Sequence, residues 1–214
     1  MLICEADFGI KMGAKPFAMQ PTLSPAGRFL QILVIAWFAT AAVAHAQTTN
    51  TWTSATNGFW TIATNWLPGT PVSSTNTTLL FNASGGMNYR ATNNNNGNFL
   101  VNQLILNSSS TNTISLSGGA LQFSLGSAGA AQLLQENSGA VNITNALVLD
   151  TNMTFGGSGT GAVNVAGLIS GTNNVLKTGN YKLTLTGANT FGGAGNVVDI
   201  EGGVLAVRDR KSTV

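Results

Sequence analysis

The chain has almost no cysteine or histidine. Its 214 residues include one Cys, Cys4, and one His, His45, and both lie in an N-terminal leader that we expect to be removed. The exported chain would then have no disulfide, no zinc site with Cys or His ligands, and no Ser-His-Asp or Cys-His nucleophile. Catalysis would have to use carboxylates, Lys, Arg, Tyr or a bound metal.

Charge is also scarce. Only 7% of the residues are charged, the formal net charge is +2, and 43% are hydrophobic. Disordered chains usually combine high net charge with few apolar residues, so this composition predicts a folded chain. Between residues 47 and 207 the cations are Arg90, Lys177 and Lys182, and the acids are Glu136, Asp150, Asp199 and Glu201. Because no basic stripe faces phosphates, we expect no nucleic-acid partner.

The leader has the pattern of a secretory signal peptide. Arg28 precedes the apolar run Phe29–Val43, and Ala44-His45-Ala46 forms a cleavage site, which predicts cleavage after Ala46 and export. The alternative is a membrane-spanning helix, but this run reaches only ~22 Å against a hydrocarbon core of ~30 Å. We therefore expect no stable membrane span after cleavage. Three methionines offer a start: Met1, Met12 and Met19.

After the leader, short runs with a period of two residues recur between clusters of Gly, Asn and Ser. They predict strands at Thr77–Phe81, Phe99–Leu106, Thr113–Leu116, Leu121–Leu125, Val141–Leu149, Ala162–Ile169, Lys182–Thr186, Val197–Glu201 and Val204–Val207. The intervals between them are too short for crossover helices, which excludes βαβ units. Two all-β solutions remain, an antiparallel sandwich and a coil of stacked short strands.

The side-chain pattern favours the coil. Leu183 and Leu185 share one face of their strand, and Val163 and Val165 share one face of theirs. Val198 and Ile200 are expected to point inward in the same way. Strands with about two aliphatic residues bury little alone and become stable by stacking on similar neighbours. We therefore predict a β-solenoid of about 20–25 residues per turn, with polar ladders outside.

A tryptophan-rich segment precedes the first regular strand. Trp52, Trp60 and Trp66 stand there with Phe59 and Leu67. The first turn of a solenoid needs a cover over its open edge, so we interpret these side chains as a hydrophobic cap. The alternative is an exposed aromatic platform that contacts glycans.

One segment resembles a known repeat. Leu176-Lys-Thr-Gly179 is followed by Leu-Thr-Leu-Thr-Gly-Ala-Asn-Thr-Phe from residue 183 to residue 191. With downstream Gly and Leu residues, this order is similar to the autotransporter-associated β-strand repeat. The matching positions are Lys177, Gly179, Leu183, Leu185, Gly187, Asn189, Phe191, Gly193, Gly203 and Leu205. The Asn65-Trp66 pair also looks like the N-terminal segment of large secreted proteins that carry these repeats.

The resemblance implies a right-handed parallel β-helix, a bacterial passenger exported and displayed at the cell surface or outer membrane. Two features depart from the family pattern: Asn180-Tyr181 replaces small residues, and the connection between Phe191 and Leu205 is longer. We also expect that the chain is an N-terminal fragment, and that further repeats or a translocator barrel are missing from it.

These expectations divide the chain into four parts. They are a leader at 1–46, a tryptophan-rich cap with the first strands at 47–98, solenoid turns at 99–207 with one clear repeat at 176–207, and a charged tail at 208–214.

Few residues suggest chemistry. The glycine-rich stretch 157–162 fits a dinucleotide fingerprint, but a strand-like run follows it where a helix is needed. The calcium-type nonapeptide pattern at 192–197 lacks its carboxylate, so we expect no cofactor and no metal. Asp199 and Glu201 are weak catalytic candidates, because two acids at i and i+2 share one face of a strand and can divide acid and base roles. The alternative is an ordinary solvated face that Lys182 balances.

From the sequence we expect a structural or adhesive passenger segment without catalysis, with glycans or other surface proteins as partners. The alternatives are a fragment of a polysaccharide lyase or hydrolase that uses the two acids, and a carbohydrate-binding module that uses the tryptophans.

Overall fold

The computed structural model describes residues 46–83, 87–109 and 111–208, and these contain twenty β-strands and one short 3-10 helix, Ala63–Asn65. No helix within these ranges has the length and apolarity to cross a membrane. The predicted signal peptide and almost all of the charged tail lie outside the described residues.

The strands form three sheets, which we name faces A, B and C. Face A contains β1 (Thr48–Trp52), β3 (Trp66–Leu67), β4 (Thr77–Ala83), β7 (Gln103–Ser108), β10 (Ala131–Gln135), β13 (Met153–Gly156), β16 (Val175–Lys177) and β19 (Val198–Ile200). Face B contains β2 (Gly58–Phe59), β5 (Tyr89–Asn93), β8 (Thr113–Gly118), β11 (Ala140–Ile143), β14 (Val163–Val165), β17 (Lys182–Leu185) and β20 (Val204–Val207). Face C contains β6 (Phe99–Val101), β9 (Leu121–Phe123), β12 (Leu147–Leu149), β15 (Ile169–Gly171) and β18 (Thr190–Phe191).

From β4 onward the chain visits the faces in the order A, B, C and then starts the next turn, so each strand pairs in parallel with the strand one turn away. In the first described turn, β1 on face A and β2 on face B pair in the same way with β4 and β5. This confirms the predicted parallel β-solenoid, with about 6 turns. The handedness stays a prediction. The exception is β3, which runs antiparallel to β1 and covers part of its outer edge.

The register shows how far each turn advances. One column on face A joins Asn50, Leu79, Leu104, Leu133, Phe155, Lys177 and Ile200, so the successive turns advance by 29, 25, 29, 22, 22 and 23 residues. One long advance contains the tryptophan-rich segment and the other contains a small bridge between Gly126 and Gly129. Parallel stacking begins at Thr48, inside the segment predicted as a cap with the first strands.

The core is a set of such columns. On face B one column joins Tyr89, Ile114, Val141, Val163 and Leu183, and all five side chains are buried. The inward pairs predicted at Val163 and Val165 and at Leu183 and Leu185 are confirmed, because all four are buried. Aliphatic side chains thus stack on aliphatic side chains from turn to turn, which removes apolar surface from water at each step.

Three predicted strands are too long, because each runs through a corner between two faces. Phe99–Leu106 breaks at Asn102, Val141–Leu149 breaks at residues 144–146, and Ala162–Ile169 breaks at residues 166–168. Buried amides hold two of these corners. Asn102 Nδ2 donates to the carbonyl oxygens of Ser124 (2.9 Å) and Gly129 (3.0 Å), and Asn145 Nδ2 donates to that of Gly119 (2.7 Å).

Candidate functional site

The tryptophan cluster lies in the core. Trp52 and Trp66 meet edge to face with ring centroids 5.1 Å apart, and Trp60 packs in the same way on Trp66 at 5.6 Å. All three rings are buried, and Trp66 Nε1 donates to the Trp60 carbonyl oxygen at 3.0 Å. A sugar-stacking platform needs exposed ring faces, so this burial favours the cap over the platform.

The residues of the repeat motif have structural positions in the coil. Leu183 and Leu185 are buried in face B, and Asn189 Oδ1 accepts a hydrogen bond from the Ile169 backbone N–H of the preceding turn (2.9 Å). Gly187 packs so closely on that turn that an added Cβ would lie 2.3 Å from the Gly167 carbonyl oxygen. Gly203 has a φ of +67°, in the left-handed region that favours glycine.

Lys177 is fully buried, at 0% exposure, although lysine is seldom found in a core. Its Nζ donates to the carbonyl oxygen of Gly179 in its own turn and to that of Gly202 in the next turn (3.2 Å). The same ammonium lies 3.9 Å from the ring centroid of Tyr181. Burial lowers the pKa of Lys177. The side chain therefore joins two successive turns.

Sequence reasoning missed two partners in this arrangement. Tyr181, noted only as a departure from the repeat, is buried beneath the ammonium, and its hydroxyl has no hydrogen-bond partner among the residues that the structure describes. Gln135 connects two earlier turns in the way that Lys177 connects later ones, because its Nε2 donates to the carbonyl oxygens of Gly139 (3.0 Å) and Gly161 (2.9 Å). The signal for Gln135 is a polar residue at a position where the period-two pattern requires an inward side chain.

The two candidate catalytic acids lie at the last described turn. Asp199 and Glu201 are both exposed, as predicted, and both border an open groove of about 310 Å³ that Asn152, Asn174 and Val197 also line. Among the described residues, no group of three or more His, Cys, Asp or Glu side chains has the arrangement to hold a metal ion. The catalytic role of the pair stays a prediction.

The inward prediction at the same strand is only partly correct. Val198 and Ile200 continue the columns of Val175 and Lys177, but they are 44% and 49% exposed. No described strand pairs with the free side of β19, so nothing covers these side chains from that direction.

Glu136 and Asp150, the other two acids between residues 47 and 207, each form hydrogen bonds to an adjacent turn. Glu136 Oε2 accepts hydrogen bonds from the backbone N–H (3.3 Å) and the hydroxyl (2.7 Å) of Ser158. Asp150 Oδ2 accepts from the Ser124 hydroxyl (3.1 Å) and from the side-chain amide of Gln122. One oxygen of each carboxylate therefore binds the neighbouring turn of the coil.

The outer surface of face A has a regular arrangement that sequence reasoning did not identify. Its outward side chains form three columns: Thr78, Gln103 and Gln132; Leu80, Ile105 and Leu134; and Asn82, Asn107 and Asn137. We call the half-buried middle column the apolar strip and the other two the amide ladders.

Hydrogen bonds run along both ladders. Thr78 Oγ1 donates to Gln103 Oε1 (3.4 Å), and Gln103 Nε2 donates to Gln132 Oε1 (3.3 Å). On the other side Asn107 Nδ2 donates to Asn82 Oδ1 (2.9 Å), and Asn137 Nδ2 donates to Asn107 Oδ1 (3.0 Å). Like residues therefore align across successive strands, as predicted for the outside of the coil.

Comparison of the chain with protein-family models, with curated proteins and with solved structures found no match.

Proposed function

We propose that this chain is an exported, non-catalytic segment of a bacterial surface passenger, whose β-solenoid serves as a structural and adhesive scaffold. The observation that carries the proposal is the unbroken register of the face A column from Asn50 to Ile200. Each turn adds one strand spacing of ~4.8 Å along the coil axis. A chain built in this way holds its outer side chains at fixed, repeating positions.

The resemblance at residues 176–207 supports the passenger type. Motif residues that the resemblance identified have structural positions in the coil: Leu183 and Leu185 fill the core, and Lys177 joins its turn to the following one. Gly187 permits the close approach of its turn to the preceding one at Gly167. The composition supports a scaffold as well, because the amide ladders keep the outer surface polar without charged residues.

Export is tested by expressing the full chain in a Gram-negative host and identifying the N-terminus of the protein recovered outside the cytoplasm. We expect the chain to leave the cytoplasm and to begin at Gln47, after the Ala44-His45-Ala46 site. Retention in the cytoplasm with the leader intact would contradict the proposal.

The second candidate is a polysaccharide lyase or hydrolase, and the observation that favours it is the groove beside Asp199 and Glu201. The Asp199→Asn/Glu201→Gln double variant and the unaltered chain are incubated with neutral and acidic polysaccharides, and release of reducing ends and of unsaturated products is measured. We expect no release by either protein. Release by the unaltered chain that the double variant loses would establish the enzyme instead.

A further inference from the structure

The apolar strip and its two amide ladders form one continuous surface. On β7 the outward residues stand at i, i+2 and i+4, so the surface is about 13 Å wide from ladder to ladder. On β4 the same positions are Thr78, Leu80 and Asn82, of which Thr78 is buried and accepts a hydrogen bond from Gln47 Nε2. The surface repeats on β10, where Gln132 and Leu134 continue two of the columns and Asn137 follows the strand. The same chemistry therefore recurs on three successive turns, from β4 to β10.

The ladders leave hydrogen-bond donors unused. Within the described residues, Asn82 Nδ2 and Gln132 Nε2 donate to no protein atom, because each amide stands at the end of its ladder and offers only its oxygen to the neighbour. Asn107 and Gln103 each use one of their two side-chain N–H groups. The amide oxygens of Asn82, Asn107 and Gln103 already accept hydrogen bonds. The surface thus offers N–H donors on both sides of an apolar strip.

The charges near this surface are negative. Of the cations in the described part of the chain, Arg90 and Lys182 lie on face B, Arg208 directly follows β20 of the same face, and Lys177 lies in the core. The ionised groups of the described residues that border the outer side of face A are Glu136, beside the asparagine ladder, Asp199, which continues the column of Gln132, and Glu201, which lines the same groove as Asp199. An acidic polymer would be repelled here, whereas a neutral one would not.

An apolar protein surface would also be a poor partner for the strip and its ladders. The strip is a single column, and an apolar partner wide enough to cover it would bury the unused N–H groups of both ladders without acceptors. Each such group costs about 1–3 kcal/mol. A ligand with hydroxyl and ether oxygens along both edges and an apolar face between them avoids this cost.

We propose that the outer surface of face A, over Leu80, Ile105 and Leu134 and the flanking amide ladders, binds a linear uncharged polysaccharide that lies along the coil axis. Sugar C–H faces pack on the apolar strip, and sugar oxygens accept hydrogen bonds from the ladder amides. This inference rests on the proposed adhesive function and gives it a ligand class and a site.

The test is titration of the purified full chain, by calorimetry, with soluble cellulose-type, mannan-type and mixed-linkage glucans, and with polygalacturonate as the acidic comparator. We expect binding to at least one neutral polymer and none to polygalacturonate. Asn107→Asp adds a negative charge to the ladder with almost no change of shape, and Ile105→Ser removes apolar area from the strip. Each is expected to weaken binding about tenfold or more.

The matched control is Asn142→Asp. Asn142 accepts a hydrogen bond from Asn164 Nδ2 (3.1 Å) in a similar half-buried ladder on face B, away from the proposed site. This variant should bind as the unaltered chain does, and thermal unfolding of all three variants shows whether each is folded. The proposal is wrong if no neutral polymer binds, if Asn142→Asp loses as much affinity as Asn107→Asp, or if polygalacturonate binds equally well.

Gel filtration with light scattering tests the competing occupant, a second copy of the chain. A dimer of the unaltered chain that Ile105→Ser converts to a monomer would assign the strip to self-association and overturn the proposal. Export and the coil itself do not depend on these results, so failure of this site leaves the scaffold proposal standing.

Discussion

The two ends of the described coil differ in how completely their core side chains are covered. At the first turn β3 pairs antiparallel with β1, and Trp52, Trp60 and Trp66 fill the space behind it. Among the described strands, none pairs with the outer side of β19 or β20, and Ile200 and Val204 are 49% and 53% exposed. Within the described residues, the two ends therefore differ: aromatic side chains fill the core at the first turn, and apolar side chains are partly exposed at the last one.

In the turn before the exposed last one, the core contains a polar contact instead of purely apolar packing. Lys177 and Tyr181 place a buried ammonium against an aromatic ring where earlier turns have Phe155 or Leu133 in the same column. The ammonium reaches the carbonyl oxygen of Gly202 in the following turn. The N-terminal end is thus held by apolar packing, and the C-terminal end by a polar contact between turns.

Trp60→Ala tests the covered end and has the largest expected effect. Trp60 is buried and packs on Trp66, Phe81 and Phe99, so its removal leaves a large cavity and lowers the free energy of unfolding by about 3–5 kcal/mol. Urea titration followed by circular dichroism measures the change. Leu67→Ala is the control, because Leu67 is 64% exposed and its truncation should cost less than about 0.5 kcal/mol. Equal losses would show that the aromatic cluster is not a cap.

Lys177→Met tests the polar contact at the other end. The variant keeps most of the side-chain volume but removes the donor to Gly179 and Gly202, which leaves buried carbonyl groups without a partner. We expect a loss of about 1–2 kcal/mol at neutral pH. A variant as stable as the unaltered chain would show that the ammonium does not hold the two turns together.

The same lysine predicts a pH dependence. Because burial lowers the pKa of Lys177 below its ordinary value of 10.5, the folded chain releases this proton at a lower pH than the unfolded chain. The unfolded state then binds more protons, and the free energy of unfolding rises as pH approaches 10.5. Urea titrations between pH 7 and pH 10 should show this rise in the unaltered chain and not in Lys177→Met. A rise of the same size in both proteins would contradict the assignment.

Two buried tyrosines sharpen the comparison further. The hydroxyl of Tyr89 donates to the Asn82 carbonyl oxygen (2.8 Å), whereas that of Tyr181 finds no partner in the described part of the chain. At neutral pH Tyr89→Phe should therefore lower the free energy of unfolding by about 1 kcal/mol, and Tyr181→Phe should leave it unchanged within about 0.5 kcal/mol.

Burial raises the pKa of both tyrosines, so above pH 10 the folded chain keeps protons that the unfolded chain releases, and the free energy of unfolding falls. Each Phe variant should lose less stability in that range, as measured by urea titration at pH 10 and above.

Ile200→Ala has the smallest expected effect. Ile200 occupies the same column as the buried Phe155, but about half of its surface is exposed, so the truncation should cost about 0.5–1 kcal/mol. Phe155→Ala is the matched substitution inside the column, and it should cost about 3–5 kcal/mol. Similar losses at the two positions would indicate that Ile200 is covered in solution.

Much of the fold could be predicted from the alternation of apolar and polar residues in the sequence. Val163, Val165, Leu183 and Leu185 point inward because a period of two residues fixes the face of each side chain. The corners could not be predicted in this way. Asn102 lies between Val101 and Gln103 in what looks like one alternating strand, and only the fold reveals that its amide serves two carbonyl groups at a corner.

The functional surfaces were harder to foresee. The sequence places three of its four tryptophans close together after the leader, but it does not show that their rings face inward, because a cap and a platform have the same composition. The burial of Lys177 runs against the usual preference of lysine, and only the resemblance to a repeat marked that position. The amide ladders need residues 25–30 positions apart to align, for example Asn82, Asn107 and Asn137, and that alignment depends on the exact length of each turn.

The stacked register is tested most directly by distances between spin labels on one outward column of face B. Arg90, Ser115, Asn142 and Asn164 follow one another on successive turns of that face. Cysteines are introduced in pairs in a Cys4→Ser background and labelled, and dipolar electron paramagnetic resonance is recorded. The account predicts backbone separations of about 5, 10 and 14 Å for Ser115–Asn142, Ser115–Asn164 and Arg90–Asn164. Distances that do not increase by one strand spacing per turn would contradict the parallel coil.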